Sequence, residues 1–137
     1  MAQLVFTNGY TLINSVDLSD HNQSVTLNAG AVMLNDTVMG DTFESNAAGI
    51  QQWSIDLDYI QDYAASEIDA TLFPLLGASA FTVEVRPVNS ARSATNPGYN
   101  GSAVLRSYGA LTGSHGDLLK ARASFASAGL LSRSTSA

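Results

Sequence analysis

The chain has 137 residues, no cysteine and a formal net charge of −6. That length suits one domain with a real core. It excludes disulfides and cysteine zinc sites, and the negative charge argues against tight nucleic-acid binding, which comes from neutralising phosphates. The charge is segregated: residues 1–85 hold eleven carboxylates and no Lys or Arg, while residues 86–137 hold six basic residues against Asp117 alone. Opposed stretches of this kind either mix within one sheet or steer association between copies. No apolar run approaches the roughly 18–20 residues that span a bilayer, so no membrane contact is expected. No basic stretch follows Met1, so no secretory leader is expected.

In chain order, residues 4–6 and 11–16 read as short strands. Residues 22–29 alternate Val25, Leu27 and Ala29 with Ser24, Thr26 and Asn28, the period of a half-buried strand. Residues 33–49 are long, polar and interrupted by Gly40, and read as a protruding hairpin tip; loops of this length are usually functional or disordered. Residues 51–60 are the clearest strand, with Trp53, Ile55, Leu57 and Tyr59 against Gln52, Ser54, Asp56 and Asp58. A helix follows, with Ser66 as N-cap and Glu67 and Asp69 in the first turn. Ile68, Leu72, Phe73 and Leu75 form its apolar face. Pro74 breaks it and Gly77 ends it.

Residues 81–86 set Phe81, Val83 and Val85 against Thr82, Glu84 and Arg86. Residues 89–101 read as a loop. Residues 102–108 are a weaker strand, with Ala103 and Leu105 opposite Val104, Arg106 and Tyr108. Residues 109–117 form a turn cluster. Residues 119–125 set Ala121, Ala123 and Phe125 against Lys120, Arg122 and Ser124. Residues 1–129 thus form one domain, and residues 130–137 are expected to be a flexible tail. Half-polar strands with turn-rich joints indicate antiparallel sheets. The fold class is mainly β: an antiparallel β-sandwich or barrel with one flanking α-helix and a long hairpin loop.

No nucleophile elbow, phosphate loop or dinucleotide motif is present, and neither an enzyme nor a cofactor is expected. His21 and His115 lack metal-ligand spacing and read as turn residues. Asp56 and Asp58 share a strand face roughly 6–7 Å apart, a spacing that suits a glycosidase pair, but alternation alone puts polar residues there. Three glycosylation-like triplets, beginning at Asn22, Asn35 and Asn100, read as chance.

The segments VDLSDHNQSVTLN (residues 16–28), MLNDTVMGDTFESNAAGIQQWSIDLDYIQDYAASEIDATLFPLLG (33–77), FTVEVRP, SATNPGYNGSAVLRSYG and GSHGDLLKARASFASAG resemble, in order, the major tail tube proteins of long, non-contractile-tailed, siphovirus-like bacteriophages. The likeness covers residues 16–129. It implies a virion protein that self-assembles as stacked hexameric rings into the tail tube, the conduit for genome ejection. Each subunit would give four strands to an inner barrel, with Thr26, Asn28, Ser54, Asp56, Asp58, Arg106, Lys120 and Arg122 lining an acidic lumen. Viral DNA would transit it without tight binding. The hairpin would join rings through Asp36, Val38, Met39, Asp41, Phe43 and Glu44, its acids meeting Arg86, Arg92 or Arg133 of another copy. Implied partners are other copies, a tape measure protein, a tail terminator and a distal tail protein. The implied location is the virion tail, with assembly in the host cytoplasm. Other readings are a tail terminator or distal ring, a monomeric glycan-binding β-sandwich, and a small hydrolase using Asp56 and Asp58.

Overall fold

A computed structural model describes Thr7 and residues 9–135. The strand expected at residues 4–6 lies outside the described residues. Seven strands form one antiparallel sheet: β1 (Tyr10–Ile13), β2 (Val16–Asp17), β3 (Asn22–Asn35), β4 (Asn46–Ile60), β5 (Phe81–Arg86), β6 (Gly98–Thr112) and β7 (Lys120–Ser134). Their order across the sheet is β2-β1-β5-β6-β7-β4-β3. One short helix, α1 (Ile68–Leu72), and two 3-10 turns, Ser19–His21 and Phe73–Leu75, complete the described elements.

The apolar alternation of β4 buries Trp53, Ile55, Leu57 and Tyr59, and that of β7 buries Ala121, Ala123 and Phe125. Each fully buried Leu- or Ile-sized side chain contributes about 1.5–3 kcal/mol. The sheet curls so that its inner face closes on itself. The Tyr59 hydroxyl of β4 donates to Thr11 Oγ1 of β1 at 3.2 Å, although β5, β6 and β7 lie between those strands in the sheet order. Phe81 and Phe125 meet edge to face with centroids 5.8 Å apart. α1 and the following turn add Ile68, Leu72 and Leu75 to the same core.

Several boundaries differ from the sequence expectation. Residues 11–16 are a tight hairpin rather than one strand: Ile13 pairs with Val16, and Asn14 and Ser15 both have positive φ, the requirement of a two-residue primed turn. The expected hairpin loop of residues 33–49 narrows, because β3 runs to Asn35 and β4 starts at Asn46. The loops expected at 89–101 and 109–117 are shortened by β6, which spans Gly98–Thr112, and β7 carries the expected tail segment on to Ser134. Gly98 of β6 pairs with Ser134 of β7. Residues 136–137 lie outside the described residues. Glu67 rather than Ser66 caps α1, and no side-chain capping bond forms; Ser66 instead takes positive φ. Pro74 lies within the 3-10 turn that ends the helix, and Phe73 points outward, 61% exposed.

Candidate functional site

The residues expected to line a lumen lie on four consecutive strands, β6-β7-β4-β3. Register aligns them in rows. Thr26 pairs with Asp56 and Asn28 with Ser54. On the far side of β4, Asp56 pairs with Ser124, Asp58 with Arg122 and Ile60 with Lys120. In a strand pair, directly opposed residues project to the same face, so one polar surface runs across all four strands.

Arg106 joins that surface through an irregularity in β6. Leu105 pairs with Phe125 and Ser107 with Ser124, leaving Arg106 as the extra residue of a bulge. The slip puts Ser107 on the polar face and turns Tyr108 inward, a correction to the strict alternation that had grouped Tyr108 with Arg106. The Tyr108 hydroxyl donates to Asp69 Oδ1 at 2.9 Å and accepts from Gln61 Nε2 at 3.1 Å. Burial first, then the Asp69 carboxylate, push it up to about 12, against the Gln61 bond.

The β4 carboxylates of this face are matched with one cation from β7, the adjacent strand, and one from β6, beyond it. Arg122 Nε lies 3.5 Å from Asp58 Oδ1, and Arg106 Nη2 lies 3.8 Å from Asp56 Oδ1. Ser124 links the second pair, accepting from Arg106 and donating to Asp56 Oδ1 at 2.7 Å. Both pairs are open to solvent, with Asp56 53% and Asp58 41% exposed, so each contributes at most about 1 kcal/mol. Among the expected lining residues, Arg106, Lys120 and Arg122 outnumber Asp56 and Asp58. The face carries both signs, with Asp56 and Asp58 set against Arg106 and Arg122.

The second feature is the arm formed by the distal halves of β3 and β4. Its ten-residue tip spans residues 36–45 between the strand ends and is braced from within. Asp36 N donates to Ser45 O at 3.0 Å, Thr37 N to Asn35 Oδ1 at 2.9 Å, and Val38 N to Asp41 Oδ2 at 3.0 Å. Glu44 accepts from Asn35 Nδ2 at 3.4 Å. These bonds hold Val38, Met39 and Phe43 outward, 66%, 102% and 85% exposed. Below the tip, Val32, Met33, Leu34 and Ile50 are also exposed. Sequence reasoning did not single these out. The consecutive apolar run of residues 31–34, which fits no two-residue alternation, was the available signal.

The expected basic partners divide. Arg86 Nε lies 2.6 Å from Glu84 Oε2 and Arg92 Nε 3.7 Å from the same oxygen. Arg86 also stacks on Tyr10, 4.2 Å from the ring centroid. Glu84 itself is buried, although alternation had placed it on a polar face. The loop after β5 folds back there, pinned by Asn96, whose Nδ2 donates to Val88 O at 3.1 Å and to Ser90 O at 3.2 Å. Arg86 and Arg92 are thus engaged within the chain, and Arg133 stands exposed on β7.

No family model matches the sequence, and no curated protein matches it. Solved structures do. A chain from the sheath/tube terminator of an extracellular contractile injection system superposes with a TM-score of 0.74 at 12% identity, covering 98% of this chain and 98% of that one. A chain from the virion of a native gene transfer agent gives 0.72 at 16%, covering 93% and 95%. A chain from the tail of an empty gene transfer agent particle, of C6 symmetry, gives 0.67 at 17%, covering 83% and 82%. The fold is tail-tube-like. The likeness is not confined to long-tailed phages, because a contractile injection system and gene transfer agents share this tail-tube-like architecture.

Proposed function

We propose that this chain is a structural tail subunit that assembles as stacked hexameric rings into a hollow tube through which a viral genome passes into a host. The observation that carries the reading is the continuous polar face of β6-β7-β4-β3, backed by a closed apolar core. Four strands per subunit, joined edge to edge around a ring, close a barrel and remove the free edges. The polar face then forms the inner wall. Its arginines are occupied by Asp56 and Asp58 of β4, so DNA meets few free cations and slides.

The braced arm supplies the contact between rings. Val38, Met39 and Phe43 contribute most of the affinity, with Asp36, Asp41 and Glu44 setting register against Arg133 of another copy. The partners are further copies, a tape measure protein within the lumen, and terminator and distal proteins at the ends. The subunit resides in the tail, after assembly in host cytoplasm. A second reading, a terminator ring, draws on the nearly full-length overlay with a chain from a terminator assembly; the exposed arm favours the tube.

Negative-stain microscopy of purified protein across a concentration series tests this. Hollow, striated tubes of sixfold symmetry are the expected result. Single rings that cap tails without stacking would support the terminator. A monomer at every concentration, even with tail tips as nuclei, would sink both.

A further inference from the structure

His21 ends the 3-10 turn that leads into β3, and its ring is gripped from three places. Asp20 Oδ1 of the same turn lies 2.9 Å from Nδ1, and Glu67 Oε2, just before α1, lies 3.4 Å from that nitrogen. Asp62 Oδ2, from the turn after β4, lies 3.0 Å from Nε2. The imidazole is 19% exposed. The first 85 residues contain no Lys or Arg, and among the described ion pairs this cluster has His21 as its sole cationic partner.

A neutral imidazole has one N–H, so it satisfies carboxylates on one side only. The imidazolium donates on both sides and offsets one of three negative charges. Asp62 is held in place independently: its Oδ1 accepts from Ala64 N at 2.9 Å, and its carbonyl accepts from Asp69 N at 3.2 Å. The ring therefore ties the start of β3 to the segment that opens α1.

We propose that His21 is a proton-operated latch: the imidazolium, held by Asp20, Asp62 and Glu67, fastens the corner where β3 begins to the helix side of the fold, and loss of the proton releases it. Burial lowers the affinity of the ring for its proton, but the hydrogen bonds and charges of Asp20, Asp62 and Glu67 outweigh it, and the net shift is upward. A raised value means that the stabilisation is complete below the unfolded-state value of about 6.5 and is lost as pH rises through the folded-state value. The latch is closed in mild acid and opens toward alkaline pH. β3 is an edge strand, so release loosens the end of a strand that a second chain would pair with.

The test is NMR titration of dilute, unassembled protein from about pH 5.5 to about 8.5, with EDTA present so that the ring answers only to protons. The chain has two histidines, and His115→Gln identifies the His21 resonance. A His21 midpoint above about 6.5 is expected, with the amides of Asn22, Ile68 and Asp69 moving at that same midpoint. Glu67→Gln should lower the midpoint. Thermal melts should fall with pH in this window for the native chain and stay flat for His21→Gln. If that variant does not fold, the titration and Glu67→Gln decide. A midpoint at or below the ordinary value, or α1 amides indifferent to it, overturns the latch.

Discussion

Glu84 is the residue on which the basic half of the chain is anchored. It is buried against Arg86 and Arg92, so its removal deprives two guanidinium groups of their shared carboxylate, leaving Arg86 with Ser90 O and the Tyr10 ring. Glu84→Gln should lower unfolding free energy in urea by about 3 kcal/mol, the usual cost of breaking a buried pair from one side. Gly101 is constrained differently. A Cβ there would lie 2.6 Å from Leu130 O and 2.9 Å from Trp53 Cζ2, and backbone cannot yield as a flexible side chain can. Gly101→Ala should cost about 1–3 kcal/mol by overpacking, read in the same experiment.

Tyrosines set an alkaline limit. Tyr59, buried and shifted upward mainly by that burial, and Tyr108, pushed up to about 12, both favour the protonated phenol in the folded chain. Their contribution to stability should hold below about pH 10, the ordinary phenol value, and fall above it as the unfolded chain ionises first, a loss separate from that of His21 at lower pH. Absorbance titration beside circular dichroism would show the last tyrosines ionising only as the fold is lost. Tyr108 also marks where alternation fails as a guide. A single bulged residue, Arg106, reverses the facing of Ser107 and Tyr108 after it, and nothing in the residue types at 102–108 announces the slip. Glu84 fails for another reason: a strand pattern reports which residues share a face, not whether a later loop folds over that face.

At the scale of elements, the centres of β3, β4, β6 and β7 were legible because their cores demand alternating apolar residues. Their ends were not. The extensions into residues 30–35, 46–50 and 126–134 are rich in Ala, Gly and Ser or run apolar without a break, and they are held by ladder hydrogen bonds rather than by burial. The braced arm is the element with the plainest test. Replacing residues 36–45 by Asn-Gly joins β3 to β4 through a primed turn and leaves the core untouched. Melting should change by no more than a few degrees, because the deleted apolar side chains are exposed. Tube formation should cease, as scored by microscopy and sedimentation. Tubes of normal length from this variant would refute the role of the arm between rings.

For the whole molecule, the segregation of charge along the chain resolves partly inside the fold. β4 from the acidic part lies beside β7 from the basic part, and Asp58 meets Arg122 there. The arm keeps its acids apart from that arrangement. Which pairs form within a chain and which wait for another copy was not readable from linear order, because register decides it. The polar face yields a sharp expectation: Asp56→Asn with Asp58→Asn frees Arg106 and Arg122 on every subunit. Assembled tubes should then retain duplex DNA in low salt and release it as salt rises, with a steep log–log dependence. Filter binding on preformed tubes would measure it, and no change from the native tube would place this face away from the lumen.

Among the described strands, the two sheet edges are unequal: β2 has 2 residues and β3 has 14. A long open edge accepts other strands with little discrimination, which sets two reactions in competition. In the proposed tube, joining a growing end is first order in free chain, since ends are few and fixed. Mispairing of two free edges is second order. A slow, steady supply of chain therefore favours ordered product, and a sudden burst favours precipitate, whatever the final yield of protein. Gradual induction at modest expression should give a higher soluble fraction than strong induction carried to the same total, and shortening β3 from its distal end should narrow that gap.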